Sequence, residues 1–244
     1  MDIISEQRRF RDSKPSRLGR GIEKLTHPFG AAIASIVPKN FVEAILKGLD
    51  SAVGAPQLVR FDHDISDMTA ARDAAKSVSR AARSINAATG AAAGLGGALT
   101  MSGDIPATIA IALRSIRDTG RAYGFEGEGA AEKLFRLQIL ELAALDEPDV
   151  REQRIAALEA SIGSDGTLVQ AEHEHTVPVV DQAIERISRA IAFSTFRSRA
   201  GMIVPVVGSV VGGLVNSSFQ NDVGKAARFA FQARRLKQDG AVGA

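Results

Sequence analysis

Two uncharged, glycine-rich stretches decide the fold: SINAATGAAAGLGGALTMSG at Ser84–Gly103 and AGMIVPVVGSVVGGLVNSSFQN at Ala200–Asn221. Each stretch contains a pair of glycines four residues apart, namely Gly90 and Gly94, then Gly208 and Gly212. In a helix, residues at this spacing share one face, and glycine there lets a second backbone approach closely. The pattern predicts two helices that contact each other.

Helical periodicity also dominates the rest of the chain, and no segment alternates as a half-buried strand does. A long helix is expected to start at Ser66 or Asp67 and to continue into the first stretch, where Gly94, Gly96 and Gly97 break it. Its buried side is predicted to consist of Ala71, Ala75, Val78, Ala82 and Ile85. Further helices are expected at 41–53, 104–120, 130–145, 148–162, 177–199 and 216–237.

We therefore predict an all-α fold: a single multi-helix domain with glycine-rich close-packed helices at its centre. The domain is expected to span residues 21–240, behind a basic N-terminal extension at residues 1–20.

Helix ends are marked by particular residues. Asp104 is interpreted as an N-cap, and the alternative is a functional carboxylate beside an apolar cavity. Pro106 is expected in the first turn of the same helix. Pro205 should break or kink the second stretch, so that the last helix starts near Asn216.

Tyr123, Gly124 and Phe125 are predicted to form a turn. Tyr123 is the single tyrosine of the chain. If it is buried, its hydroxyl needs a hydrogen-bond partner, and an Asp or Arg would serve.

Neither stretch has the character of a membrane span, which needs roughly 20 mostly apolar residues. The first stretch is mainly alanine and glycine, and the dense part of the second, Met202–Val215, covers only about 21 Å as a helix. Tight core packing, reversible membrane insertion and an apolar ligand cavity all remain compatible with this composition.

Basic residues follow helical spacing on both sides of the first stretch. Those before it are Arg72, Lys76, Arg80 and Arg83, and those after it are Arg114, Arg117 and Arg121. Each Lys or Arg near anionic lipid contributes about 1 kcal/mol, so such a stripe is suited to lipid or membrane binding. The alternative is an ordinary solvated face opposite the alanine face.

Composition excludes several classes of function. The chain has no cysteine, which removes disulfides and thiol catalysis. Its net charge is only +2, and its basic residues lack interleaved aromatic residues, so nucleic-acid binding is not expected. The charged start, MDIISEQRRFRDSK, is unlike a secretory signal, so we expect a cytoplasmic protein or one on the cytoplasmic face of a membrane.

Candidate catalytic and metal sites are sparse. Glu172-His-Glu-His175 is interpreted as a surface loop and Asp62-His63-Asp64 as a helix-capping polar turn, rather than as metal ligands. No phosphate loop, dinucleotide fingerprint or nucleophile elbow is present. We expect no cofactor, no metal and no catalytic residue.

From about Ala81 to Leu236 the chain resembles the EcsC protein family. The resemblance rests on the order of four segments: Thr89-Gly90…Gly94, Asp104-Ile-Pro-Ala, Tyr123-Gly-Phe and Ile203-Val-Pro-Val-Val-Gly-Ser-Val-Val-Gly-Gly…Asn216…Phe219. It implies a bacterial helical protein with membrane associations, named after a gene beside a transporter pair linked to secretion and envelope physiology. It implies no catalytic residue.

The pattern and the resemblance together favour a non-enzymatic peripheral membrane protein, possible partners being an anionic membrane surface, an apolar lipid-like ligand or a membrane protein. One alternative is an enzyme with an apolar cavity that acts on a lipid-like substrate through Asp104 and a histidine. Another is a soluble protein-interaction module.

Overall fold

The computed structural model describes residues 2–13, 55–95, 101–145, 148–169 and 205–240, with positions 45, 47, 48, 52 and 54. For the helical residues 89–95, 101–106 and 205–218 it describes the backbone alone. These described residues form α1 at Ile3–Asp12, α2 at Met68–Leu95, α3 at Met101–Ala122, α4 at Ala130–Ala144, α5 at Pro148–Ala160 and α6 at Pro205–Gln238. They include no strand, only an isolated bridge between Ile162 and Leu168, so the all-α prediction is confirmed.

The two longest helices, α2 and α6, run antiparallel. Just before α2, Ile65 lies with Arg235 of α6 against Gly124, where a built Cβ would be 2.6 Å from Ile65 Cγ2 and 3.9 Å from Arg235 Nη1. Further along, a Cβ built on Gly224 of α6 would lie 2.9 Å from Ser79 Cβ of α2. As residue numbers rise along α2, the α6 residues that lie beside them have falling numbers, so the two helices are antiparallel.

Helix α3 packs against both of these helices and runs parallel to α6. Gln220 Nε2 of α6 donates a hydrogen bond of 3.3 Å to the carbonyl oxygen of Thr108. Near the other end of α3, a Cβ built on Gly120 would lie 2.7 Å from Phe231 Cζ. Residue numbers in α3 and α6 thus rise in the same direction.

This register brings the uncharged segments to the same end of the bundle. From the crossing of Ser79 and Gly224, α2 continues for about 24 Å and α6 extends back for about 28 Å. Helix α3 begins at that end. We call residues 84–95, 101–107 and 205–219 the tip, in which Asp104 is the one charged residue.

The two glycine pairs lie at similar heights within the tip. Counted from the crossing of Ser79 and Gly224, Gly90 of α2 and Gly212 of α6 lie at about the same height along the bundle. Gly94 and Gly208 lie at about the same height one helical turn further from the crossing. Close packing through these glycines stays a prediction. The described centre of the bundle is lined by alanine instead, including Ala75, Ala112 and Ala227.

Helix α2 matches its prediction apart from one side chain. Asp67 caps its start, because Oδ1 accepts hydrogen bonds from the backbone N–H groups of Thr69 and Ala70 at 2.7 and 3.2 Å. The described helix runs to Leu95, so it continues through Gly94, while Gly96 and Gly97 of the predicted break lie outside the described residues. The alanines and Val78 of the predicted small-residue face are buried, but Ile85 is 39% exposed. The predicted face is therefore buried as far as Ala82.

Helix α3 begins earlier than predicted, so two interpretations of its start were wrong. Because α3 starts at Met101, Asp104 is its fourth residue and not its N-cap. Pro106 is the sixth residue rather than a first-turn residue, and its missing N–H leaves one backbone hydrogen bond unmade.

The start of α6 was also predicted wrongly. The helix begins at Pro205, eleven positions before the expected start at Asn216, and continues without a break to Gln238. Proline fits the first position of a helix, because the N–H that it lacks would have no acceptor there. Pro205 is the first described residue of this helix, so the break or kink predicted there involves preceding residues that lie outside the described ones.

The remaining helices agree with the periodicity where they are described. Helices α4 and α5 occupy the segments predicted from Ala130 and Pro148, and the turn at Tyr123 and Gly124 is confirmed, with Gly124 at φ +84°. The first part of the predicted N-terminal extension forms α1, which packs on α6. The helix expected at 177–199 and the cluster at Glu172–His175 lie outside the described residues.

Candidate membrane-binding surface

The predicted basic residues fall into two groups by burial. Arg72 and Arg117 are buried, whereas Lys76 and Arg80 are exposed. Arg83, Arg114 and Arg121 are partly exposed. The two basic stripes read from the sequence are therefore not two uniform surfaces.

The second stripe contains a buried ion pair. Arg117 and Asp118 have side chains 1% and 0% exposed, with Arg117 Nη2 at 2.6 Å from Asp118 Oδ1. Arg117 Nη1 also donates to the carbonyl oxygens of Ala52 and, at 2.8 Å, Ala55. Asp118 Oδ2 accepts the backbone N–H of Leu58 at 2.7 Å. The pair thus fastens segment 52–58 to α3, and Arg117 is out of reach of a membrane.

The other two cations of this stripe are also held by protein groups. Arg114 Nε donates to the carbonyl oxygen of Pro56 at 2.8 Å. Arg121 lies 3.9 Å from both Asp118 Oδ1 and Glu128 Oε1. We therefore assign the second stripe mainly to holding the chain before α2 in place.

The first stripe is different because its outer members face solvent. The Lys76 side chain is 45% exposed and lies 3.0 Å from Asp73 Oδ1. That hydrogen bond lowers the pKa of Asp73, so the aspartate stays charged. Arg80 is exposed and donates to Ser77 Oγ at 2.8 Å. Arg72, by contrast, lies beneath the surface with its guanidinium 3.4 Å from Asp73.

Helix α6 adds a cation to this surface. Lys225 has a side chain 46% exposed and lies 3.1 Å from Asp222 Oδ1. Arg80 and Lys225 each follow a residue of the Ser79–Gly224 crossing by one position. Because each step turns a helix by about 100° and the helices are antiparallel, both side chains project to the same side. We call Lys76, Arg80, Arg83 and Lys225 the collar.

The collar marks the border of the tip. Arg83 is the last charged residue of α2, and no charged residue of α6 precedes Asp222. Burial raises the pKa of Asp222, an effect that Lys225 partly offsets. Along the helices, the exposed cations of the collar are therefore followed within about two helical turns by the tip, in which Asp104 is the one charged residue.

No helix among the described residues is long and apolar enough to cross a membrane. Nor do these residues contain a group of three His, Cys, Asp or Glu side chains placed to hold a metal ion. His63 Nε2 lies 2.8 Å from the carbonyl oxygen of Ala122, and Asp64 Oδ1 accepts the backbone N–H of Ser66 at 2.8 Å. The polar turn predicted at Asp62–Asp64 is confirmed.

Tyr123 is buried, and its hydroxyl has a partner, as predicted. Gln232 Nε2 donates to it at 3.0 Å, so the partner is an amide and not the expected Asp or Arg. Burial raises the pKa of Tyr123 well above its usual value. The residue links the end of α3 to α6.

Lys225 was not singled out by the sequence argument. Its position in the sequence could have identified it. Lys225 is the first basic residue after the second uncharged stretch, and Arg83 is the last basic residue before the first uncharged stretch. Membrane binding by the collar stays a prediction.

Comparison with known proteins places this architecture in a family. A family model described as the EcsC protein family matches residues 3–236. The uncharacterized protein YdbA of Bacillus subtilis is 28% identical over 62% of this chain, and the alignment covers 53% of YdbA. Protein EcsC of the same organism is 23% identical over 80% of this chain and 78% of its own length. No solved structure matches.

Proposed function

The chain belongs to the EcsC protein family, and we propose that it is a non-enzymatic peripheral membrane protein that binds anionic bilayers. In this proposal the collar contacts lipid headgroups and the tip enters the interface. The observation that carries the proposal is the position of exposed Lys76, Arg80 and Lys225 at the border of a nearly charge-free helical end.

The dimensions of the tip favour partial insertion. Residues 84–95 of α2 cover about 18 Å as a helix, which is less than the roughly 30 Å of a hydrocarbon core. The α2 part of the tip is mostly alanine and glycine, which bury little apolar surface, so its insertion alone gives weak binding. Electrostatic attraction by the collar would supply the remainder, at about 1 kcal/mol for each cation near an anionic surface.

The collar is only moderately positive, which makes the binding reversible. Asp73 and Asp222 lie beside two of its four cations. Exposed charges are screened over about 10 Å at 0.1 M salt, so binding should weaken as salt rises. Anionic lipid is concentrated in the cytoplasmic leaflet, and we propose that face as the site of action.

Vesicle co-sedimentation tests this proposal directly. The parent protein should sediment with vesicles that contain phosphatidylglycerol and much less with phosphatidylcholine alone. The variant K76Q/R80Q should lose most of this binding at low salt, because both cations face solvent in the collar.

A matched control removes the same charge elsewhere. Arg8 and Arg9 are exposed on α1, so R8Q/R9Q lowers the net charge equally without touching the collar. We expect this control to bind like the parent. If K76Q/R80Q, shown to be folded by circular dichroism, binds as tightly as R8Q/R9Q, the collar does not bind the membrane.

A further inference from the structure

One face of helix α3 carries a stripe of small side chains, several of them polar, on the side that packs against α6. Thr108, Ala112, Ser115 and Thr119 lie three or four residues apart and are all buried. The hydroxyls of Thr108, Ser115 and Thr119 make no hydrogen bond with the residues described here. Buried hydroxyls normally have a partner, so three on one helix face call for an explanation.

The direction of this stripe follows from its neighbours. Arg117 lies on the side of α3 that holds segment 52–58. Ser115 and Thr119 are about 160° to 200° away from Arg117 around the helix, on the opposite side. There Gln220 of α6 donates to the Thr108 carbonyl, and its own Oε1 is another buried atom with no described partner.

Helices α2 and α6 also contribute small residues near their crossing. Helix α2 contributes the buried Ala71, Ala75 and Ala82, and α6 contributes Gly224 and the buried Ala227. At Gly224 the two helices come so close that a built Cβ would be 2.9 Å from Ser79 Cβ. We call the contact among α2, α6 and the α3 stripe of Thr108, Ala112, Ser115 and Thr119 the seam.

The rest of the core is much more apolar. Phe135 of α4 packs edge-on against Phe231 of α6 at 5.5 Å between ring centroids, beside Leu137, Ile139 and Leu140. Each of these side chains buries far more apolar area than an alanine methyl does. The crossing of α2 and α6 at Ser79 and Gly224 therefore gains less hydrophobic stabilisation than this aromatic cluster does.

From the unpartnered hydroxyls and the small side chains we infer that the seam is an opening device: α2 and α3 separate from α6 when the tip meets an anionic membrane. This inference rests on the proposed function and adds its conformational step. The open state gives the hydroxyls of Ser115 and Thr119 access to hydrogen-bond partners. It also gives lipid access to the space between the uncharged segments of the tip.

A reversible lock at the crossing tests this step. The parent chain has no cysteine, so the variant S79C/G224C contains one defined pair. The 2.9 Å between the Cβ positions is shorter than the roughly 3.5–4.5 Å of a disulfide, so the helices must move apart by less than about 2 Å. The oxidised variant should lose most of its binding to phosphatidylglycerol vesicles and recover it on reduction.

The outcomes separate the two claims. If the parent does not bind vesicles, the proposed function fails, and the membrane-triggered opening fails with it. If the parent and the reduced variant bind and the oxidised variant binds equally well, the opening is wrong and the proposed function stands.

A second pair of variants tests the seam without a crosslink. S115A and T119V each remove a buried hydroxyl that has no described partner, so each should raise Tm by roughly 2–4 °C and reduce vesicle binding. Ser161 Oγ donates to the Leu158 carbonyl at 2.7 Å, so the control S161A should lower Tm. A lower Tm in both seam variants would overturn the inference.

Discussion

The crossing of α2 and α6 predicts the effect of a single methyl group at Gly224. Two terms of opposite sign decide the outcome of G224A. Alanine is favoured over glycine in a helix interior by about 1 kcal/mol. Against this, the new Cβ would be 2.4 Å from Ser79 Oγ and 2.9 Å from Ser79 Cβ.

The contact between the new Cβ at position 224 and Ser79 Cβ decides whether helix propensity or overpacking has the larger effect. Ser79 Oγ can rotate away, although it would lose its contacts with the Ala75 carbonyl at 3.1 Å and with Arg228 Nη1 at 3.2 Å. Ser79 Cβ cannot rotate away, so the helices must separate. Overpacking of this kind typically costs about 1–3 kcal/mol. We expect G224A to be less stable than the parent by up to about 2 kcal/mol.

Urea unfolding followed by circular dichroism measures this difference. The control G129A places a Cβ where no atom lies within 4 Å, so it adds no overpacking and should cost only the small preference for glycine over alanine at this N-cap. The double variant G224A/S79G removes the opposing Cβ and should recover the overpacking loss, apart from the helix cost of a glycine at position 79. If G224A is as stable as the parent, the crossing is looser than described.

Three further substitutions probe buried groups of the bundle. R117Q should destabilise the protein by about 3–5 kcal/mol in urea unfolding, because it leaves the carboxylate of Asp118 buried without its cation. Y123F should cost about 1 kcal/mol by the same measurement, since it removes the acceptor of the Gln232 amide. Burial raises the pKa of Asp222 above 3.8, so the stability that this group contributes is complete below pH 3.8 and is lost as pH rises through the raised pKa. D222N lacks that loss, so its free energy of unfolding minus that of the parent should increase as pH rises above 3.8. A difference that does not change with pH would contradict the assignment.

The helices were predictable because their signals are local. Asp67 and the periodic Ala71, Ala75 and Val78 fix α2 from its own sequence. The starts of α3 and α6 were not predictable in this way. An aspartate such as Asp104 is favourable both at the N-cap and in the first turn of a helix, and a proline such as Pro205 occurs both at the first helical position and at a break.

The basic residues show the limit of sequence reasoning most clearly. Arg72 and Arg80 share one stripe by spacing, yet Arg72 is buried and Arg80 is exposed. The difference depends on which part of α2 other elements cover, and this is a non-local property. Arg117 is buried because Asp118 and the carbonyls of segment 52–58 compensate its charge, and that segment is distant in sequence.

The proposed function requires the tip to contact the membrane, and a single fluorescent label can report on that contact. Ser84 is exposed at the base of the tip, and Ser164 is exposed in the loop after α5. In this cysteine-free chain, S84C and S164C each accept one environment-sensitive dye. On addition of phosphatidylglycerol vesicles, we expect a blue shift for the label at position 84 and little change at position 164. Equal shifts at both positions, or a shift at position 164 alone, would contradict it.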